Sequence, residues 1–215
     1  MRLGKADAMG DPKLGRDSVV RAAVGIADAE GFDRITMRRV SRALGVTPMA
    51  LYRYLPDKAA LVDVVIDESL RAVPGVDPDG DVLGEFRRCF GGLHRLLIDH
   101  PGLAKAASER PLEGPVATEI GERVLALLQR CGVGERDAAN ALVAAFSLTL
   151  GSALYWVSRQ ARVRNEHVHD GAASESTAVR VRSHAGVGDE GSAVFHDAMT
   201  KLVSGYLTAG EAVIR

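Results

Sequence analysis

The segment ITMRRVSRALGVTPMALYRYLPDK, residues 35–58, constrains the fold more than any other part of the chain. Its pattern predicts two short helices that meet at a tight turn around Gly45. The first helix is predicted to begin after Thr36, whose hydroxyl can accept a hydrogen bond from the first turn. The second is predicted to begin at Thr47, followed by Pro48 at a helical position that needs no N–H donor. The segment therefore predicts a helix-turn-helix.

The two faces of this helix-turn-helix differ in chemistry. The apolar residues are spaced to form one small core: Val40, Leu44, Val46, Leu51 and Leu55. The opposite face is basic and aromatic: Arg38, Arg39, Arg42, Tyr52, Arg53, Tyr54 and Lys58. A compact element with such a face matches the major groove of a DNA duplex and its phosphates. The segment is therefore predicted to read DNA.

Charge is distributed unevenly along the chain. Residues 1–58 contain 11 Lys and Arg against 7 Asp and Glu, whereas the remainder contains 16 against 21. The first part thus has a net charge of +4 and the second of −5, which together give the overall −1. A basic head on an acidic body favours phosphate contact at one end only.

The rest of the sequence has helical periodicity and no alternating, strand-like segment. It predicts an all-α protein in which a three-helix DNA-binding head is joined by a linking helix to a helical body. The predicted parts are a flexible arm over 1–15, the head with its linking helix over 16–73, and the body over 79–215, in which 163–190 form a long loop. A disordered tail and a basic arm that touches DNA both remain open for residues 1–15.

Two long helices are predicted over 136–162 and 192–209, and both are apolar around most of their circumference. A helix of this kind must be buried on more than one side. In a body of about six helices, the second side is predicted to meet another subunit in a four-helix bundle, which makes the protein a homodimer. A helix that is simply central to its own domain is the alternative.

Membrane, metal and cofactor sites are not predicted. No apolar run reaches the roughly 18 residues of a membrane span, and the N-terminus lacks the apolar region of a secretory signal. Cys89 and Cys131 match no metal or disulfide spacing, and His167 and His169 lie in the predicted loop without a fixed partner. These features favour a cytoplasmic protein with no cofactor.

The head resembles the tetracycline-repressor (TetR) family of one-component bacterial regulators through AAVGIADAEGFDRITMRRVSRALGVTPMALYRYLPDKAALVD. The body is similar to the tetracycline-repressor subfamily in LLIDHPGLAKAASERP, LLQRCGVGERDAANAL and TLGSAL. The resemblance implies a transcriptional repressor that binds palindromic operator DNA as a homodimer. It also implies that a small-molecule effector enters the body and releases the DNA.

The same resemblance assigns roles to residues of the helix-turn-helix. Arg38 would reach a base edge, with guanine as its natural partner. Pro48, Met49 and Ala50 would contact thymine methyl groups at the base-reading end of the second helix. The full predicted set of DNA contacts is Thr36, Met37, Arg38, Thr47, Pro48, Met49, Ala50, Tyr52, Arg53, Tyr54 and Lys58.

The ligand side departs from the tetracycline-binding members. Ala106 and Tyr155 occupy the positions where those members carry a metal-binding histidine and an acidic residue, so a metal–tetracycline effector is not expected. Arg110 and Pro111 match the segment that relays ligand binding. The residues predicted to face an effector are Phe90, His94, Arg110, Phe146 and Tyr155. Core packing is the alternative for the two phenylalanines, and a hydrogen-bonding neighbour is the alternative for His94.

Two other classes of function remain as alternatives. One is a ligand-independent structural DNA binder, which would show little sequence preference. The other is a helical enzyme that carries a DNA-binding head. The chain has no Gly-rich phosphate loop, nucleophile elbow or paired His–carboxylate spacing, so an enzyme is not predicted.

Overall fold

Helices form all the regular structure that the computed structural model describes, which covers residues 14–166 and 189–213. They are α1 (Arg16–Glu30), α2 (Met37–Ala43), α3 (Pro48–Leu51), α4 (Lys58–Ser69), α5 (Val82–Asp99), α6 (Pro101–Ser108), α7 (Pro115–Arg130), α8 (Glu135–Glu166) and α9 (Asp189–Val213). Short 3₁₀ turns cover Phe32–Arg34 and Leu70–Ala72. The predicted all-α class is confirmed.

The first four helices form the head. Helix α1 ends at Glu30, because the following Gly31 takes φ +94°, a conformation that other residues rarely adopt. Its apolar stripe, which includes Val19 and Ala23, is fully buried. Helix α4 closes the head from the other side with Leu61 and Val65, which are also fully buried. The head is therefore held together by buried side chains that α1 and α4 both contribute.

Helix α4 also belongs to the body, because it packs against α6 and α7 as well as α1. The buried side chains of head and body form one continuous hydrophobic cluster. The segment of residues 74–81 is rich in Pro, Gly and Asp, and hydrogen bonds join it to α7. Arg123 Nη1 donates to the Val76 carbonyl at 3.3 Å, and Arg130 Nε donates to the Pro78 carbonyl at 2.7 Å.

Helices α5, α8 and α9 form the centre of the body, and His94 joins all three. His94 lies on α5 and is buried. Its Nε2 is 3.0 Å from Ser152 Oγ on α8, and its ring stacks on Phe195 of α9 with centroids 4.1 Å apart. Burial, and secondly the nearby His196, lowers the pKa of His94 to about 4. The alternative of a histidine satisfied by a neighbour thus describes its contacts.

The ends of the long body helices differ from the prediction. Helix α8 continues to Glu166 and α9 begins at Asp189, so the predicted loop over 163–190 is wrong at both ends. Its remaining residues, including His167 and His169, lie outside the described residues. The predicted arm also lies outside them, except for Leu14 and Gly15.

Helix α8 contains one stretch, Glu135–Arg162, that is long and apolar enough by length and composition to span a membrane. The sequence-based argument that no run reaches this length is therefore wrong for the helix as formed. Polar residues such as Thr149 interrupt the run but do not end the helix, since the Thr149 hydroxyl donates to the Ala145 carbonyl at 2.7 Å. Only 28% of the apolar window is buried within the chain. Some apolar side chains on α8, Val143 and Tyr155 among them, therefore remain exposed.

The position of His94 predicts a pH dependence of stability. The unfolded state binds a proton near pH 6.5 and the folded state only near pH 4, so stability is lost as the pH falls between these values. For this group we expect the free energy of unfolding to drop by about 2 kcal/mol from pH 7 to pH 5.

Urea unfolding of His94→Gln at both pH values measures this contribution, because the variant cannot titrate at this position. The half-exposed His100 provides a matched control, His100→Gln. An equal loss of stability in His94→Gln and in the parent chain would contradict the prediction.

Candidate nucleic-acid interface

The turn between α2 and α3 is fixed by its backbone and by one capping side chain. Thr36 Oγ1 accepts a hydrogen bond from the Arg39 N–H at 3.2 Å, which confirms the predicted N-cap of α2. Gly45 takes φ +67°, a left-handed conformation that favours glycine. The N–H of Val46 then donates to the Ser41 carbonyl at 2.9 Å and closes the turn.

Helix α3 is short. It starts at Pro48 after Thr47, as expected, but its regular part ends at Leu51. The N–H groups of Tyr54 and Leu55 both donate to the Leu51 carbonyl, so the chain continues as hydrogen-bonded turns. Thr47 lies at the N-cap, but in the described part of the chain its hydroxyl makes no capping hydrogen bond.

The apolar side of the helix-turn-helix is buried largely as predicted. Val40, Leu51 and Leu55 are at most 2% exposed, and the partly buried Leu44 and Val46 pack at the edge. Because α2 packs against α1 and these side chains belong to the hydrophobic core, the opposite side is presented to solvent. That orientation is what allows the short α3 to act as part of a rigid surface.

Most of the predicted DNA contacts lie on that solvent-facing side. Met49 has the most exposed of the large apolar side chains described, at 74%. Ala50 and Thr36 are half-buried, and the other residues on this surface are exposed: Arg38, Thr47, Pro48, Tyr52, Arg53 and Lys58. We call these nine residues the basic surface. Cations, hydroxyls and one large apolar side chain together suit contacts with phosphates and base edges.

Three residues of the segment have other contacts. The Met37 side chain is buried in the core, so only its backbone in the first turn of α2 remains for a DNA contact. The Tyr54 hydroxyl donates to the Leu14 carbonyl at 2.8 Å, so this side chain already has a hydrogen-bond partner within the head. Arg39 pairs with Glu30 at the end of α1. Spacing carries part of this signal, since Met37 and Tyr54 stand three positions from the buried Val40 and Leu51.

Lys58 stands at the junction between the basic surface and the body. Asp57 caps α4, because its Oδ1 accepts from the Ala60 N–H at 2.7 Å. This cap makes Lys58 the first residue of α4. A phosphate contact at Lys58 would therefore act directly on the linking helix.

The residues predicted to face an effector make different contacts, and only Arg110 lines either of the two cavities described below. Phe90 stacks on Phe86 with centroids 5.2 Å apart, and His94 is engaged with α8 and α9. Phe146 is half-buried against the core. Tyr155 is 51% exposed, and its hydroxyl accepts from Arg159 Nη1 at 3.1 Å. Arg110 lies apart from these four and pairs with Asp63 of α4.

Arg110 lines two cavities at the junction between head and body. The larger has a volume of about 870 Å³ and lies between α1, α4, the loop of residues 110–114 and the start of α7. The smaller, of about 460 Å³, lies between the Phe32–Arg34 turn, α4 and α6. The other four predicted residues line neither cavity. Sequence reasoning missed this junction because its walls come from segments far apart in the chain.

No cluster of three or more potential metal ligands occurs among the residues that the structure describes. Cys89 is buried and Cys131 is half-buried, and both are free thiols.

Two family models match the chain. The model described as bacterial regulatory proteins, tetR family, matches residues 19–65. The model described as tetracyclin repressor-like, C-terminal domain, matches residues 74–207. Together they cover both the head and the body.

The chain is similar in sequence to the HTH-type transcriptional repressor DrrR1 of Streptomyces coeruleorubidus. The two are 34% identical over 163 residues, which is 74% of this chain and 60% of the relative. The chain thus spans about 60% of the length of that relative.

Solved structures give the same picture. The TetR family protein ActR of Streptomyces coelicolor, in complex with actinorhodin, is 25% identical with a TM-score of 0.74 over 92% of this chain and 98% of its own. BioQ with its double-stranded DNA operator is 29% identical with a TM-score of 0.59, over 73% of this chain and 95% of its own.

The exposure of Arg38 predicts a specific loss when it is truncated. Arg38→Ala should relax base preference at one position of each half-site and cost roughly 1–3 kcal/mol of binding free energy. Competition between the preferred DNA site and all its single-base variants measures this change.

The neighbouring Arg39→Ala is the matched control, because Arg39 pairs with Glu30 within the head. It should lower stability slightly and leave every base preference as it was. Wild-type preference at all positions in Arg38→Ala would refute the role of Arg38.

Proposed function

The chain belongs to the TetR family of bacterial regulatory proteins, and we propose that it is a transcriptional repressor. It binds a palindromic operator as a homodimer and leaves it when a small-molecule effector binds. The observation that carries this proposal is the basic surface. It lies opposite the buried side of the helix-turn-helix, on a head that includes α4. We expect it to act in the cytoplasm and to have no enzymatic activity.

The basic surface would bind DNA by dividing the work between its residues. Helix α3 enters the major groove, where Pro48, Met49 and Ala50 contact thymine methyl groups and Arg38 pairs with guanine. The phosphates are held by the exposed polar and cationic side chains: Thr36, Thr47, Tyr52, Arg53 and Lys58. Met37 contributes through its backbone, and Tyr54 acts mainly by holding Leu14 against the head.

The apolar side chains exposed on α8 and α9 support the proposed homodimer. Val143 is 65% exposed on α8, and Val194 is 54% exposed on α9. Exposed apolar side chains on two long adjacent helices are typical of an interface between subunits. A second copy packed on this surface forms a four-helix bundle. In a symmetric dimer of this kind, each copy contributes one head.

An effector is supported by the cavity of about 870 Å³, which is within the size range of small-molecule sites. It borders α4, so a ligand there could favour one position of the heads over another. ActR, which is similar in fold, has been solved in complex with actinorhodin. Arg110 lies at this cavity, and contact of Phe90, His94, Phe146 and Tyr155 with an effector stays a prediction.

The division of labour follows the predicted domains. Residues 16–73 form the DNA-binding domain with its linking helix, and residues 79–215 form the effector-binding and dimerisation body. The arm over residues 1–15 precedes them. Repression needs no cofactor in this scheme, because DNA and effector compete through the conformation of the chain.

Selection of bound sequences from a random DNA pool tests the proposal. The expected result is one site with two-fold symmetry, bound at least 10³-fold more tightly than random DNA at physiological salt. Salt-sensitive binding without sequence preference would instead support the structural DNA binder. Steady turnover of a candidate effector would support the enzyme.

The dimer makes a separate prediction about Val143. Val143→Asp places a charge on the proposed interface, so we expect the dimer to dissociate and operator affinity to fall with it. Sedimentation at micromolar concentration measures the change in mass. Ala126→Asp, at an exposed position on α7, should remain a dimer. A wild-type chain that sediments as a monomer would refute the interface.

A further inference from the structure

The N-terminus of α7 is capped by a side chain from another helix. Helix α7 follows Gly114 and has Pro115 at its first position, so it has no capping side chain of its own. The N–H groups of a first helical turn need acceptors from outside the helix. Here the N–H of Val116 donates to Asp67 Oδ2 at 3.2 Å, and the N–H of Ala117 donates to Asp67 Oδ1 at 2.9 Å.

Asp67 lies on α4 and is only 8% exposed. A buried carboxylate is costly unless hydrogen bonds satisfy it, and both of its oxygens accept one here. The positive end of the α7 dipole adds to this stabilisation. The contact is therefore a strong tie between the linking helix and the body.

Gly114 makes the approach of Asp67 possible. Its φ of −72° and ψ of 164° suit any residue, so the backbone does not demand glycine. A Cβ on Gly114 would, however, overlap the Asp67 carboxylate. A serine or aspartate at this position could cap α7 locally. The chain instead has glycine at this position, and α7 is capped by the Asp67 carboxylate from α4.

Asp63 provides a weaker second tie one turn earlier on α4. It pairs with Arg110 in the segment before α7, and Arg110 Nη2 is 3.0 Å from Asp63 Oδ2. The pair is partly exposed, and such ion pairs contribute little. Asp67 is thus the principal polar contact that holds α4 to the 110–117 segment.

We propose that Asp67 is a positioning residue for DNA recognition. Helix α4 begins at Lys58, the last residue of the basic surface, so its tilt sets the direction of the head. By capping α7, Asp67 fixes that tilt and with it the distance between the two heads of the dimer. Proteins that read two half-sites require this distance to match the DNA repeat. The inference rests on the proposed dimeric repressor.

Operators with varied half-site spacing test this role. The wild-type chain should bind one spacing best, with a steep fall at one base pair more or fewer. Asp67→Asn removes the charge, and its amide NH₂ cannot accept from an N–H. We expect roughly 5–10-fold weaker binding at the preferred spacing and a flatter dependence on spacing.

Gly114→Ala perturbs the same contact from the body side and should flatten the spacing dependence in the same way. Gly121→Ala is its matched control, because a Cβ there meets Leu142 Cδ2 at an ordinary 3.5 Å. Glu68→Gln is the control for charge on α4, because Glu68 pairs with Arg71 three residues later and not with the 110–117 segment. Val124→Ala, at a fully buried position on α7, controls for loss of stability alone.

The possible outcomes distinguish the positioning role of Asp67 from the proposed repressor function. A spacing dependence as steep as wild type in folded Asp67→Asn would overturn the positioning role, as would equal flattening in Val124→Ala. If Asp67→Asn and Gly114→Ala both fail to fold while Val124→Ala folds, Asp67 serves stability and not positioning. A wild-type chain that selects no two-fold site refutes the proposed repressor itself, whatever the variants do.

Discussion

The rest of the structure depends on the burial of α4 from two sides. Leu61 and Val65 on this helix are fully buried, and the helix packs against α1 of the head and against α6 and α7 of the body. Because apolar burial is the main favourable term in folding, neither half can easily move away from α4. A change in the position of this helix therefore changes the direction of the head.

Polar contacts give this apolar packing a defined geometry. Hydrophobic contact is not directional, whereas the two hydrogen bonds from α7 to Asp67 fix one rotation of α4. At its other end, α4 starts at the Asp57 cap beside the basic surface. The C-terminal part of α4 is thus fixed to the body through Asp67, and its N-terminus adjoins the part of the head proposed to read DNA. Such an arrangement suits a protein whose DNA affinity depends on how far apart its heads stand.

The sequence predicted those features that arise from neighbouring residues. The Thr36 cap and the turn at Gly45 both follow from local conformational preferences, and the structure has both. The all-α class follows from helical periodicity in the same way. Most candidate DNA contacts lie on the exposed side, because the buried Val40, Leu51 and Leu55 define which side of the helix-turn-helix faces the core.

Contacts between distant positions were beyond the reach of this reasoning. Tyr54 and Leu14 are 40 positions apart, and Asp67 and Val116 are 49 apart. Nothing in local spacing shows that one will hold the other. The same limit explains why the cavity at Arg110 was missed, whereas the extra length of α8 was missed because polar residues can lie within a helix.

Hydroxyl-radical footprinting of the selected operator tests the central claim most directly. A dimer whose α4 helices hold two heads at a fixed distance should protect two backbone segments on one face of the DNA. Their centres should lie about 34–36 Å apart, or at another single spacing that every half-site pair shares. One protected segment, or uniform protection along the duplex, would contradict the account.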